Sequence, residues 1–344
     1  MRRVVAVVAV AAALVVGASP AHAASPPPSP AIVGGSTVSA GWPWAVFIVN
    51  DHTGALCSGA LIATKTVATA AHCVVDGTAP GNVAVTSDRV PDINGGTGFV
   101  GVTAIKVLPG FDPMNPLNGS DVAKIRLASE LPSTAPVAVI NRTLTSEVTG
   151  SAKALAGGYG LTSPSDTTDP VLRQAAFTSL GTGGACGSSQ LICSGSGSPA
   201  TCSGDSGGPL IVQLGADTVT SSPSPSNGAW RLAGVTSFGD VNCTSSFWTS
   251  LLDQTQHNFL QPDTAITAGP SGNTTQRRPT FSFNSSPGGA ILQCRVDKAL
   301  FKPCQSPFRT ALLGFGAHTF QVRANSDGVT DPSPASRSFK VVRP

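Results

Sequence analysis

The chain has 344 residues, with 38 Gly, 28 Pro and only 11% charged side chains. An average soluble protein carries roughly 25% charged residues. This composition excludes a long-helix bundle or a coiled coil, and a hydrophobic fraction of 41% excludes wholesale disorder. We therefore expect a loop-rich, all-β protein that is long enough for two domains.

The first 23 residues have the three parts of a signal peptide. A positive start, Met1-Arg2-Arg3, is followed by the apolar run Val4–Val16 and by Ala21-His22-Ala23. The apolar run is shorter than the roughly 20 residues that a membrane-spanning helix needs. Residues 1–23 therefore predict a secreted, extracellular protein, and residues 24–31 (ASPPPSPA) predict an extended, proline-rich propeptide.

Eight cysteines follow the signal peptide, and no pair of them has the CxxC spacing of a zinc ribbon. They are Cys57, Cys73, Cys186, Cys193, Cys202, Cys243, Cys294 and Cys304. An even number in an exported chain favours disulfides over metal ligation. Spacing alone leaves the connectivity open.

From Ile32 onward the pattern is one of short β-type runs separated by Gly, Pro, Asn and Asp. The clearest runs are Trp44–Val49, Leu61–Ala70, Gly101–Leu108 and Leu232–Phe238. Apolar residues at helical spacing predict one helix over Trp248–Leu260, which Gln261-Pro262 ends because proline cannot continue a helix. We place a domain boundary near residue 262.

Residues 263–344 predict a second, smaller β domain. Their apolar residues alternate and so share one face of each strand. The sets are Phe281/Phe283, Leu292/Cys294/Val296, Phe320/Val322/Ala324 and Phe339/Val341. We expect a small antiparallel sandwich in which Cys294 and Cys304 form an internal staple.

Three short segments carry the chemistry. Residues 204–209 read Gly-Asp-Ser-Gly-Gly-Pro, and flanking glycines permit a tight turn that exposes the Ser206 hydroxyl and directs backbone N–H groups at one point. A serine hydroxyl is a weak nucleophile unless a base takes its proton and a carboxylate orients that base. His72 lies in Thr69–Cys73, and Asp121 lies in Ser120–Ala123, between the histidine and the serine.

With these segments in the order His72, Asp121, Ser206, residues 32–262 resemble the chymotrypsin/trypsin family of serine endopeptidases. Further matching stretches are Ile32-Val33-Gly34-Gly35, Gly158-Tyr159-Gly160 and Ser237-Phe238-Gly239. The resemblance implies a chymotrypsin-like double antiparallel β-barrel with a C-terminal helix. It also implies the disulfides Cys57–Cys73, Cys186–Cys193 and Cys202–Cys243.

By the same resemblance, Ser206 attacks the scissile carbonyl, His72 relays the proton, and Asp121 holds the imidazole tautomer. The N–H groups of Gly204 and Ser206 would form the oxyanion hole. Two alternatives remain at this point. One is an inactive, binding-only family member, and the other is a non-proteolytic adhesin or carbohydrate-binding protein.

The resemblance also implies an activation pair, in which the Asp205 carboxylate binds the new ammonium of Ile32 after cleavage. Ala31 precedes Ile32, where trypsinogen-like precursors carry Lys or Arg, so we do not expect tryptic activation. No clear counterpart of the family's calcium-loop acidic pair follows His72, and we expect no metal and no cofactor.

The specificity pocket predicted by resemblance contains Ala200 at its floor, Ser237, Gly239 on the opposite wall and Ser246 as a third lining residue. Ala200 stands six residues before Ser206, where trypsin-like enzymes have aspartate. A pocket without a carboxylate cannot compensate a buried Lys or Arg, so we expect cleavage after apolar residues, as in chymotrypsin or elastase.

The C-terminal segment resembles the small Ig-like or fibronectin-III-like modules of bacterial exported proteins. It has ten basic against four acidic residues, whereas residues 24–262 have nine against fourteen. One interpretation is a spacer that docks on the acidic catalytic domain by charge. Another is attachment to an anionic cell-wall polymer or surface. We expect a monomer that acts on protein or peptide substrates, with no nucleic-acid partner.

Overall fold

The computed structural model describes residues 32–344, except for residues 143, 150–153, 166–169, 198, 216–221 and 228. The predicted signal peptide and propeptide lie outside the described residues. Within that part of the chain, no helix has the length and apolar character needed to cross a membrane.

Residues 32–262 are built almost entirely of strands. In chain order they contain β1 Ser36–Thr37, β2 Ala45–Asn50, β3 Ala55–Ala63, β4 Thr66–Thr69, β5 Val83–Thr86, β6 Val100–Val107, β7 Ala123–Leu127, β8 Ala138–Val139, helix α1 Thr145–Thr149, β9 Ala154–Gly158, β10 Arg173–Phe177, β11 Leu180–Thr182, β12 Leu191–Ser194, β13 Pro209–Leu214, β14 Ala229–Gly239, β15 Ser246–Ser250 and helix α2 Gln254–Leu260. The four predicted strand runs fall on β2, on the β3–β4 hairpin, on β6 and on β14.

These strands form two bodies that pack against each other. The first is a closed barrel in the order β2-β3-β4-β7-β6-β5. The second is a nine-stranded, barrel-like sheet in the order β1-β10-β9-β13-β14-β15-β12-β11, with β8 paired to β14. One apolar cluster runs through both bodies, and Trp44, Phe47 and Trp248 are among its fully buried members. The arrangement confirms the chymotrypsin-like fold class that the sequence predicts.

The predicted helix over Trp248–Leu260 is wrong in its first half. Residues 246–250 form β15, which is hydrogen-bonded on one side to β12 and on the other to β14. The Asp253 side chain accepts a hydrogen bond from the Thr255 N–H at 2.8 Å, so the helix begins only at Gln254. Pairing on both edges outweighs the helical spacing of the apolar residues.

Residues 263–344 form a second β domain. Its strands are β16 Asp263–Ala268, β17 Asn273–Thr274, β18 Thr280–Ser286, β19 Ile291–Val296, β20 Lys302–Pro303, β21 Phe308–Arg309, β22 Gly316–Ser326, β23 Val329–Thr330 and β24 Ala335–Val341. They make a sheet β16-β18-β21 and a second sheet β17-β24-β22-β19-β20, to which β23 adds on β22. The inward residues of β18, β22 and β24 pack together, with the Phe281 and Phe320 rings stacked at 4.2 Å.

The cysteines are joined in four disulfides, Cys57–Cys73, Cys186–Cys193, Cys202–Cys243 and Cys294–Cys304. The first three pairs are those that the family resemblance implies, and the fourth joins β19 to the segment just after β20. The Cys57–Cys73 bridge ties β3 to the turn that carries His72, so it also fixes a wall of the site described next.

Candidate active site

His72 and Asp121 are held against each other at the interface of the two bodies. His72 lies in a 3-10 turn over Ala71–Cys73 just after β4, and Asp121 immediately precedes β7, the strand paired with β4. The imidazole Nδ1 lies 2.8 Å from Asp121 Oδ2, and the His72 backbone N–H donates to Oδ1 at 3.0 Å. The carboxylate is almost fully buried, whereas the imidazole side chain is 35% exposed. One carboxylate thus fixes both the backbone and the ring of a histidine whose other nitrogen, Nε2, can reach a substrate.

The second body completes the surroundings of Asp121. The Ser237 hydroxyl on β14 donates to Asp121 Oδ2 at 2.6 Å, and the Thr249 hydroxyl on β15 donates to the Asp121 carbonyl at 2.9 Å. The Gln256 side chain on α2 donates to the Gly119 carbonyl at 2.8 Å. These bonds hold the buried carboxylate and the loop that carries it in place.

Ser206 lies on a turn whose shape depends on glycine. Gly204 has φ +93° and Gly207 has φ +81°, backbone conformations that L side chains rarely adopt. A Cβ on Gly207 would overlap the Thr69 hydroxyl, and a Cβ on Gly204 would lie 2.8 Å from Gly160 Cα. Gly207 therefore lets the turn approach Thr69 of the first barrel, and Gly204 lets it approach Gly160 of the second body.

Backbone hydrogen bonds anchor the Ser206 turn to β3. The Ser58 N–H donates to the Ser206 carbonyl at 2.8 Å, and the Ser58 hydroxyl donates to the Gly204 carbonyl at 2.8 Å. Among the described residues, no backbone hydrogen bond uses the N–H of Gly204 or of Ser206. Two N–H groups thus remain available to a ligand oxygen in front of the Ser206 hydroxyl.

No hydrogen bond joins Ser206 Oγ to the His72 ring in the described part of the chain. Ser237 lines the same surface cavity as Ser206 and donates to the Asp121 carboxylate that binds the His72 ring. In enzymes without substrate, such catalytic hydrogen bonds are often long and shorten when the substrate binds.

Asp205, the residue before the serine, is completely buried in a cradle of glycines. Its Oδ1 accepts from the Gly160 N–H and its Oδ2 from the Cys202 N–H, both at 2.9 Å. A Cβ on Gly158 or on Gly160 would collide with the carboxylate, which explains the Gly-Tyr-Gly sequence here. Burial raises the pKa of Asp205 to about 7, although the two N–H donors and the Arg173 charge oppose the change.

Ile32, the predicted partner of Asp205, is fully buried and is still an internal residue of this chain. Its neighbour Val33 forms a β-bridge with Ala200. The segment that begins at Ile32 therefore packs on the segment that leads to Asp205. The bonds that the described structure gives the Asp205 carboxylate go to backbone N–H groups.

A surface cavity beside Ser206 contains two of the four residues predicted to form the specificity pocket. Ser237 and Gly239 line it as expected, but Ala200 and Ser246 are both 0% exposed and do not. The Ser246 hydroxyl lies behind the wall, where it accepts from the Thr201 N–H at 2.7 Å. Counting residues from Ser206 gives a position along the chain, but it does not give the direction of the side chain. The cavity is lined by Pro164, Thr201, Cys202, Ser203, Ser206, Thr236, Ser237, Phe238, Gly239, Asp240, Val241 and Cys243.

Sequence reasoning missed Asp240 and the role of Phe238 in this cavity. The Phe238 ring stacks on Phe247 at 4.5 Å and forms an apolar wall. Asp240 Oδ2 accepts from the N–H and hydroxyl groups of Thr244 and Ser245, which lowers the pKa of this carboxylate. Asp240 thus holds together the loop of residues 240–245 at the rim of the cavity. A carboxylate followed by Asn, Thr and Ser within five residues is the signal that could have predicted this turn.

One group of possible metal ligands is found among the described residues, namely Cys57, His72 and Cys73. The two sulfur atoms are bonded to each other, so they cannot act as thiolate ligands. The group therefore fits a disulfide beside an imidazole and not a metal centre.

Taken together, the site presents the half-buried Ser206 at a cavity, an imidazole ordered by a buried carboxylate, and two N–H groups without a backbone partner among the described residues. That set of groups suits acyl transfer to a serine hydroxyl. The comparison with known families agrees with this chemistry, because the family model described as Trypsin matches residues 32–250 of the chain.

Proposed function

The chain belongs to the trypsin family of serine endopeptidases, and on this premise we propose that it hydrolyses peptide bonds through Ser206, His72 and Asp121. The observation that carries the proposal is the linked network around Asp121, which binds the His72 ring and receives the Ser237 hydroxyl beside Ser206. The unused N–H groups of the Ser206 turn support it.

In the proposed mechanism the His72 Nε2 takes the proton of the Ser206 hydroxyl as its oxygen adds to the scissile carbonyl. The carbonyl oxygen gains a negative charge and accepts hydrogen bonds from the N–H groups of Gly204 and Ser206. The imidazolium, stabilised by Asp121, then protonates the leaving amine, and the C–N bond breaks to give an acyl-serine. Water attacks this ester with His72 as base, and the Ser206 hydroxyl is restored.

Hydrolysis of a chromogenic tetrapeptide anilide by the secreted enzyme tests the proposal. Ser206→Ala should lower kcat by about 10⁴-fold or more, because the oxyanion donors alone leave only a residual rate. Ser226→Ala, which removes an exposed hydroxyl from a different loop, should leave kcat unchanged. Equal rates for Ser206→Ala and the wild-type enzyme would exclude the mechanism.

For the residue before the scissile bond we propose an apolar side chain. The apolar Phe238 wall of the cavity supports this preference. The carboxylate nearest the cavity, Asp240, already accepts several hydrogen bonds from its own loop, so it is poorly placed to pair with a substrate Lys or Arg. A peptide library should therefore be cleaved after Phe, Leu, Tyr or Met, and a profile dominated by Arg or Lys would contradict the proposal.

We also propose that the protein is secreted as a precursor and activated by cleavage between Ala31 and Ile32. The cleavage creates an ammonium at Ile32, and the buried Asp205 carboxylate would be its partner. The raised pKa of Asp205 supports this role, because a nearby cation would relieve the cost of burying the charge.

For the C-terminal domain, here taken as an Ig-like module, we propose binding to an anionic cell-wall polymer. A pair of arginines on its larger sheet supports this second function. The guanidinium carbons of Arg295 and Arg323 lie 4.4 and 4.2 Å from the centre of the same Phe301 ring. Each Nε donates to a neighbouring glutamine, Gln321 or Gln293. Ring stacking and these bonds fix both cations in a geometry that suits phosphate or carboxylate oxygens.

Binding of the Ser206→Ala full chain to immobilised poly(glycerol phosphate) tests this function. The chain should be retained at low ionic strength and released as salt rises past about 0.15 M. Replacing Arg295 and Arg323 by Gln should abolish retention, whereas replacing the exposed Arg278 and Arg309 changes the net charge equally and should not. Equal loss of retention in the two double variants would show that net charge alone explains the binding. If the parent chain is not retained at all, the proposed function is refuted.

A further inference from the structure

The hairpin at the end of β22 reaches across to the first barrel. Asp327 and Gly328 form its two-residue turn, with φ +55° and +82°, and Val329 on β23 is 6% exposed within the apolar cluster of the catalytic domain. A Cβ on Gly328 would overlap the Arg126 guanidinium. The turn sequence therefore lets the hairpin lie directly on the barrel surface.

The Asp327 carboxylate meets two lysines of the barrel. Its Oδ1 lies 2.5 Å from Lys106 Nζ on β6, and its Oδ2 lies 2.6 Å from Lys124 Nζ on β7. The Lys106 side chain is 58% exposed, but that of Lys124 is only 3% exposed. The Lys124 ammonium also lies 4.9 Å from the centre of the Phe259 ring on α2.

Lys124 is thus a buried cation whose carboxylate partner belongs to the other domain. Burial lowers the pKa of Lys124, while the hydrogen bond and the charge of Asp327 oppose this change. The contact between the two domains is ionic, as expected for a spacer that docks by charge. The charges, however, are the reverse of those expected from the net charge of each domain. The basic domain supplies the acid, and the acidic domain supplies the lysines.

The backbone of Asp327 is held as firmly as its side chain. Its carbonyl oxygen accepts from the Thr66 hydroxyl at 2.6 Å and from Arg126 Nη1 at 2.8 Å. Arg126 Nη1 also donates to the Thr66 hydroxyl at 3.1 Å. The hairpin therefore binds β4 through Thr66 and β7 through Lys124 and Arg126.

These two strands are the ones that carry His72 and Asp121. In the β4–β7 pair, Thr69 faces Ala123 at the end next to the active site, and Thr66 faces Arg126 at the far end. His72 follows β4 by three residues, and Asp121 precedes β7 by two. The hairpin of the C-terminal domain thus holds one end of a two-stranded unit whose other end presents the imidazole and its carboxylate.

We propose that Asp327 is a positioning residue for proteolysis, which acts through Lys124 and β7 to hold Asp121 in register with His72. The inference rests on the roles of His72 and Asp121 in the proposed function. On this proposal the C-terminal domain contributes to catalysis through its contact with the first barrel. This role is independent of any polymer binding.

The test compares full-length Asp327→Asn with Asp297→Asn, a matched control in the same domain. Asp297 also has a basic partner, the His318 imidazole, but it lies at the other end of β22 from the hairpin. Asp327→Asn should lower kcat on a small peptide by about 10- to 100-fold with little change in KM, because small displacements of catalytic groups have effects of that size. It should also shift the acidic limb of the kcat/KM profile, since Asp121 stabilises the imidazolium. Asp297→Asn should match the wild-type enzyme in both readouts.

The double variant Lys124→Met/Asp327→Asn separates positioning from stability. Met removes the unpaired buried charge, so the thermal midpoint should recover, but kcat should stay low because the side-chain link between residue 327 and residue 124 of β7 is still missing. If Asp327→Asn does not fold, the double variant supplies the measurement. Wild-type kcat and an unshifted pH profile in either folded variant would overturn the inference. Failure of the proposed function looks different, because the wild-type chain itself would then hydrolyse no peptide or Ser206→Ala would retain activity.

Discussion

Replacing Gly204 by Ala is a sensitive test of the Ser206 turn. The added methyl would lie 2.8 Å from Gly160 Cα and 3.5 Å from the Tyr159 carbonyl oxygen, both of them backbone atoms. The φ of +93° is also strained for alanine. Relief requires the Gly204 backbone to move, and that backbone carries one of the two N–H groups proposed to stabilise the oxyanion.

Loss of one oxyanion donor typically costs about 10²–10³ in kcat, or about 3–4 kcal/mol of transition-state stabilisation. We expect Gly204→Ala to lower kcat on a peptide anilide by that factor, with a smaller change in KM. Gly54→Ala is the matched control, because Gly54 has φ +73° but no atom within 4 Å of the place that an added Cβ would take. It should cost about 1–2 kcal/mol of stability and leave kcat unchanged. If Gly204→Ala folds and keeps wild-type kcat, the proposed oxyanion site is wrong.

Three further outcomes follow from the same geometry. Ser237→Ala should lower kcat by about 10-fold or more, because it removes a hydrogen bond to the buried Asp121 side chain; an unchanged kcat would show that this bond is dispensable. In the precursor, where Ile32 is still within the chain, burial raises the pKa of Asp205 from 3.8 to about 7. The folded state therefore keeps a proton that the unfolded chain loses, so stability should fall by on the order of 4 kcal/mol as pH rises from about 4 to 7. In urea titrations, Asp205→Asn should weaken this dependence of the free energy of unfolding on pH. An unaltered pH dependence would show that other groups cause it. N-terminal sequencing of the active secreted enzyme should give Ile32-Val33-Gly34-Gly35, and full activity with Ala31 still attached would contradict activation by cleavage.

Local sequence was sufficient for the turn and loop residues of the site. Gly204 and Gly207 are needed by the backbone itself, so the Gly-Asp-Ser-Gly pattern carries the geometry of Ser206 directly. The alternation of Phe281 with Phe283, and of Phe320 with Val322, likewise predicted inward faces that are buried in the structure. In both cases the information lies within a few consecutive residues.

Features that depend on tertiary neighbours were not predictable in this way. Trp248 has helical spacing to later apolar residues, but strands on both sides draw it into β15. Ala200 is fully buried and does not line the cavity that contains Ser206. Lys124 and Asp327 are separated by about 200 residues, and neither has a sequence context that marks it as buried or paired. Such contacts arise from how whole domains pack, which short patterns do not encode.

The central claim is that Ser206 is the nucleophile of a serine endopeptidase, and labelling with a fluorophosphonate tests it most directly. The reagent reacts with a serine hydroxyl only where a base activates it. After reaction of the active enzyme and peptide mapping by mass spectrometry, the account predicts one modified residue, Ser206, with loss of hydrolysis in proportion to labelling. His72→Ala should prevent the modification while the protein remains folded. Modification at another residue, or full peptide hydrolysis by enzyme whose Ser206 is completely labelled, would contradict the account.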